Sequence, residues 1–169
     1  MTEPLHRQDF PVHSYDVDAE GFLAPRALFA FLQEAAGGDA ARGGYTMERL
    51  AEEELVWVIQ WMRVEVERYP RRGETLDVTT WARRLERVVA WREFDVVDGS
   101  GARLAVGTSR WAVVEHGAGH ELARAASVWR RHGRSASGSG LGTATVGEKG
   151  AVSTYNGCVL PRGQPWPAF

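Results

Sequence analysis

The sequence predicts an α+β domain in which a curved antiparallel sheet wraps one long buried helix, followed by a C-terminal tail. Three observations point to it. Residues 27–36, Ala-Leu-Phe-Ala-Phe-Leu-Gln-Glu-Ala-Ala, are apolar almost all round, as a helix covered on every side would be. One extended segment precedes this helix and four β-rich runs follow it. Only a sheet curved around the helix could cover such a surface in a chain of 169 residues, which is the size of one domain with an appendage.

The elements follow in order. Residues 10–17 alternate as a first strand would. Asp18-Ala-Glu-Gly21 is a turn signal, and Pro25 suits the first position of a helix, where its missing N–H costs nothing. Gly37-Gly38 and Gly43-Gly44 should weaken the helix end, and Thr46 should cap a short second helix over 47–54. Residues 55–67 change to period two, with Trp57, Ile59, Trp61 and Arg63 on one face. After the turn 69–73, runs at 75–83, 89–97 and 103–114 read as strands, the last two joined by the hairpin loop Asp98-Gly-Ser-Gly101. Residues 1–130 are thus the domain, and 131–169 a flexible linker rich in Gly and Ser followed by a tail rich in Pro and aromatics.

Composition removes several function classes. The net charge of −2 offers no general attraction to nucleic acid. No apolar stretch approaches the roughly 20 residues that cross a bilayer, and the N-terminus lacks the pattern of an export signal, so the expectation is a cytoplasmic protein without a membrane span. Cys158 is the single cysteine, no Cys/His group has metal-ligand spacing, and no phosphate-binding loop is present, so no metal or cofactor is expected. His13, His116, His120 and His132 have no nucleophile at a diagnostic spacing.

Five spaced motifs carry a resemblance: Val12-His-Ser-Tyr-Asp-Val-Asp18; Phe31-Leu-Gln-Glu-Ala-Ala36; Leu55-Val-Trp-Val-Ile59; Glu67-Arg-Tyr-Pro-Arg-Arg-Gly-Glu-Thr-Leu-Asp-Val-Thr-Thr-Trp81; and Thr108-Ser-Arg-Trp-Ala-Val-Val114. Together they resemble the N-terminal half of the acyl-ACP thioesterases, within the hot-dog superfamily. The resemblance implies a hot-dog fold and an acyl or polyketide chain carried as a thioester on acyl carrier protein or CoA. It also implies that the catalytic Asn and His of family members belong to a second hot-dog domain, which is not expected in this chain. Other hot-dog thioesterases use an Asp-x-x-Gly-His-x-Asn turn before the helix; here it reads Asp18-Ala-Glu-Gly21-Phe22-Leu23-Ala24, which keeps Asp and Gly and replaces His and Asn.

Candidate residues follow from what thioester hydrolysis requires, a carboxylate near the reacting carbon and donors for the oxyanion. Asp18 lies just before the helix N-terminus, and the alternative is a turn or cap residue. Glu34 interrupts an apolar helix, where a carboxylate must be paired, protonated or facing a cleft; the alternative is a structural hydrogen bond shared with Gln33. Trp57, Trp61 and Trp81, with Phe22 and Gln33, are candidates for lining an acyl tunnel, the alternative for the tryptophans being plain packing. Arg83, Arg84 and Arg87, with Arg92, form a basic cluster around a turn suited to an acidic carrier, or only a solvated edge. Alternative functions are a dehydratase or cyclase on a carrier-bound polyketide, and a non-catalytic acyl- or partner-binding module. A homodimer is expected, since one copy would leave a sheet edge exposed.

Overall fold

The computed structural model describes residues 5–86, 89–115, 151–155 and 158–160, the last two segments through their backbone alone. The strands are β1 (His6–Pro11), β2 (Leu55–Val66), β3 (Thr75–Glu86), β4 (Val89–Asp98), β5 (Arg103–Glu115), β6 (Ala151–Tyr155) and β7 (Cys158–Leu160), and the helices are α1 (Pro25–Arg42) and α2 (Met47–Glu52). All strands pair antiparallel in the order β1-β3-β4-β5-β2-β6-β7. The hairpin β6–β7 stands within the stretch read from sequence as linker and tail; residues 133–150 and Arg87 lie outside the described residues.

α1 lies on the sheet through Ala27, Leu28, Phe29, Leu32, Ala35 and Ala36, all buried, against Met62, Val64, Val66, Leu76, Val78, Phe94 and Val96. These helix positions recur at the three- and four-residue spacing that makes one stripe. Arg26, Ala30, Gln33 and Glu34 face solvent. The expectation of a helix buried on every side is therefore corrected. Ala30 is apolar yet small, so leaving it in water costs little, and the sheet covers one face of α1 only.

Two features extend α1 to Arg42, past the glycines expected to end it. Gly38 packs so close to β1 that a methyl group there would meet His6 Nε2 at 2.7 Å. Asp39 Oδ2 accepts from Arg92 Nη1 at 2.8 Å, and the same nitrogen lies 3.2 Å from Thr80 Oγ1. Arg92 is buried at 7% exposure inside the helix–sheet seam, not part of an accessible basic cluster as expected, so its charge requires that carboxylate.

β1 begins and ends earlier than the alternation suggested. His6 to Pro11 pair with Thr80 to Thr75, helped by an ion pair between Arg7 and Asp77. Beyond Pro11 the chain leaves the ladder, because Asp16 closes a turn back to His13. In β2 the register shifts between Ile59 and Trp61, which places Gln60 in a bulge. A bulge flips the alternation. Trp57 and Ile59 stand opposite Val113 and Trp111, whereas Trp61 stands opposite Arg110, one residue before the core residue Met62.

Two predictions follow from these contacts. Asp39→Ala should strand the buried Arg92 charge at a cost below the roughly 3–5 kcal/mol of a fully buried pair, because Asp39 keeps some contact with water. Adding Arg92→Met should recover at least half of the loss in urea unfolding, since the methionine removes the unpaired charge and keeps the packing.

The second concerns Asp98, whose carboxyl is held down to about 2 from an ordinary 3.8 by the Ser100 hydroxyl, the Ser100 and Ala102 backbone N–H groups and Arg68. A carboxyl depressed on folding adds stability above its unfolded value and loses it as pH falls through its folded value. The stability gap between wild type and Asp98→Asn, followed by thermal melts, should close as pH drops from about 3.8 to about 2.

Candidate active site

The loop of residues 12–24 enters α1 and is clamped at both ends. Val12 N–H donates to the Glu74 carbonyl and Gly73 N–H to the Val12 carbonyl, while Leu23 N–H donates to the Pro70 carbonyl and Arg72 N–H to the Gly21 carbonyl. Val12 and Leu23 are buried, so the loop is pinned to the β2–β3 turn by apolar contact as well. A segment held this way can place side chains reproducibly.

Two carboxylates organise the loop. Asp16, at 6% exposure, accepts the His13 N–H on Oδ2 at 2.9 Å, and the same oxygen lies 3.3 Å from His13 Nδ1. Its carbonyl accepts from Ala24 N–H at 2.8 Å, which ties the turn to the residue that caps α1. Asp18 accepts on Oδ1 from Glu20 N–H at 3.1 Å and Phe22 N–H at 2.9 Å, closing a turn whose Gly21 has φ +81°. That left-handed conformation favours glycine. Asp18 is exposed.

Around these carboxylates the rings of His13 and Tyr15 stack with centroids 5.1 Å apart, and Arg71 lies 4.1 Å over the Phe22 ring. Arg26 on the first turn of α1 donates to the Tyr15 carbonyl at 2.8 Å. Ala24 caps α1 with no side-chain hydrogen bond, and no acidic residue stands in the first turn. Pro25 has no N–H and the Ala24 carbonyl accepts from the Ala27 and Leu28 N–H groups, so Arg26 N–H is the donor of the first turn that could face a developing oxyanion.

The other candidates are placed as follows. Gln33 and Glu34 are exposed, and Gln33 Nε2 donates back to the Phe29 carbonyl at 3.4 Å. Glu34 is nine positions along from Pro25, about 13 Å of helix rise, so it does not share the turn that holds Asp18. Its exposure removes the desolvation cost that the apolar sequence around it implied. The three tryptophans do not converge. Trp57 packs with Leu50 of α2, Leu55 and Val113. Trp61 meets Trp91 edge-on at 5.5 Å on the sheet face turned away from α1, where Trp81, opposite Glu93, also points. Arg83 and Arg84 are exposed at the end of β3, and Arg83 Nη1 donates to Glu93 Oε1 at 3.3 Å.

The pairing that sequence reading missed is His13 with Asp16. A spacing of three across a turn held the signal, but no nucleophile stood at a diagnostic spacing to draw attention to the histidine.

A curved antiparallel sheet seated on one long helix, with strand order β1-β3-β4-β5-β2, is the hot-dog fold of thioesterases. The DHNA-CoA thioesterase of Staphylococcus aureus superposes with a TM-score of 0.68 at 12% identity, over 76% of this chain and 87% of that one. An acyl-ACP thioesterase of Bacteroides thetaiotaomicron superposes with a TM-score of 0.62 at 25% identity, over 71% of this chain and 52% of that one. Residues 3–129 match the acyl-ACP thioesterase N-terminal domain, and the chain belongs to that family. The chloroplastic acyl-acyl-carrier-protein hydrolase FATB3 of Cuphea viscosissima is 29% identical over 130 residues, 73% of this chain. This chain spans 27% of that relative's length.

The two acidic residues should separate in stability. Asp18→Ala removes two turn hydrogen bonds and should cost about 0.5–1.5 kcal/mol in urea unfolding, whereas Glu34→Ala on the exposed helix face should change stability by no more than about 0.5 kcal/mol.

Proposed function

We propose that this chain is an acyl-thioester hydrolase whose substrates are acyl or polyketide chains carried on acyl carrier protein or CoA. The observation that carries the reading is the family match over residues 3–129, on a fold shared with proteins named as thioesterases. The reaction is placed where the 12–24 loop meets the first turn of α1. There the thioester carbonyl lies against the Arg26 N–H at the helix start, and Asp18, through the carboxylate oxygen not used in its turn, orients the attacking water. Glu34, further along the exposed face of α1, borders the path of the acyl chain. Arg83 and Arg84 offer positive charge to an acidic carrier, which would raise the encounter rate more than the final affinity.

Two copies complete the assembly in this reading. Among the described residues β6 pairs with β2 only at Met62–Glu65, which leaves the Leu55–Trp61 edge for a partner strand. The single cysteine, which can form no internal disulfide, suits a reducing cytoplasmic setting.

One observation favours a second reading. Phe22 and Ala24 stand where related hot-dog turns carry His and Asn, as a non-catalytic acyl-binding module would allow.

Release of free thiol from acyl-CoA and from acyl-carrier thioesters separates the two. Hydrolysis predicts turnover by wild type and a loss of at least about tenfold in kcat for Asp18→Asn, with Glu34→Gln acting mainly on KM. Wild type that binds an acyl-pantetheine thioether yet releases no thiol would establish the binding module instead.

A further inference from the structure

We propose that His13 is the general base of this site and that Asp16 is its positioning residue, an assignment that rests on the hydrolase reading above. Asp16 is almost fully buried while the His13 side chain is half exposed, at 9% and 49%. A buried carboxylate thus stands 3.3 Å from Nδ1 of an imidazole that reaches solvent. Its charge favours the proton on Nδ1, which leaves the Nε2 lone pair available. Tyr15, stacked on the ring at an interplanar angle of 8°, limits its rotation. Asp16 is fixed in turn, since Oδ2 also accepts the His13 N–H and its carbonyl accepts the Ala24 N–H. Hydrogen bonds thus join Asp16 to the His13 backbone and to Ala24 at the helix entrance, while the imidazole stands within ion-pair distance of the same carboxylate, an arrangement related to that by which imidazole bases are held on unrelated folds.

The step balances without any further reactant. Nε2 of His13 takes a proton from water as the water oxygen bonds to the thioester carbonyl carbon. The tetrahedral oxyanion then collapses with cleavage of the C–S bond, and the imidazolium returns its proton to the departing thiolate. Carboxylic acid and free thiol are the products. Asp18 orients the water in this sequence, and Asp16 holds the imidazole in place.

The test uses the full chain in two arms. In the first, nitrogen-15 NMR of the neutral His13 ring should report the Nδ1–H tautomer in wild type and a mixture in Asp16→Asn; the Nε2–H tautomer in wild type would overturn the proposal whatever the turnover. In the second, thiol release from acyl-CoA is compared across variants whose folding is checked by thermal melts. His13→Gln should lose about 100-fold or more in kcat with KM little changed. Added imidazole should restore part of the activity of His13→Ala, which a purely structural histidine would not permit. Wild-type turnover with His13→Gln equally active would overturn the base assignment and leave the hydrolase reading intact. Absence of thiol release from wild type would remove the hydrolase reading and this assignment with it.

Discussion

The structure depends on α1 having one apolar stripe and one sheet to bury it on. Leu28, Leu32, Ala35 and Ala36 occupy the seam with β2, β3 and β4. Packing of this kind is the dominant favourable contribution to such a fold. The small residues let helix and sheet approach closely, and the Arg92–Asp39 pair sets how the last turns lie on β4. With that seat made, the position of the helix entrance is no longer adjustable. The loop of residues 12–24 must deliver the chain to Pro25 from β1 while staying in contact with the β2–β3 turn.

That requirement explains why the loop is rich in carboxylates that bind backbone. A connection of this length carries polar N–H groups that need partners where it packs. Asp16 and Asp18 supply them, to His13 in one case and to Glu20 and Phe22 in the other. The same bonds that rigidify the loop bring a histidine, two carboxylates and the start of α1 into one region. In the proposed mechanism stability and chemistry draw on the same atoms, so loss of activity in an Asp16 or Asp18 variant has meaning only beside a measure of folding.

Much of the fold was legible in the sequence because its signals are local. The helix start at Pro25, the Thr46 cap, whose hydroxyl accepts from Arg49 N–H, and the Asp98 hairpin rest on residues close in sequence. The order of elements along the chain and the existence of a curved sheet packed on the helix followed from the sequence of element types and from the family motifs, whereas the strand order in the sheet did not. What escaped was set by distant partners. The continuation of α1 beyond Gly38 depends on His6 and Arg92, and the facing of Trp61 depends on a bulge at Gln60 that alternation alone does not reveal. The solvent face of α1 was hidden because Ala30 reads as apolar whether it is covered or not. In the candidate site Asp18 was legible from its turn motif. His13 was not, since its partner acts through a fold-dependent burial of Asp16 and not through a recognised motif.

Under the proposed function, ligand meets this domain at the helix entrance and not on the tryptophan-bearing face of the sheet. Proton–nitrogen NMR of the labelled chain titrated with a non-hydrolysable acyl-pantetheine thioether tests this most directly. Shifts should concentrate in the amides of residues 12–28, with the indole signals of Trp61, Trp81 and Trp91 unmoved. Shifts confined to those indoles, with the 12–28 amides unchanged, would contradict it.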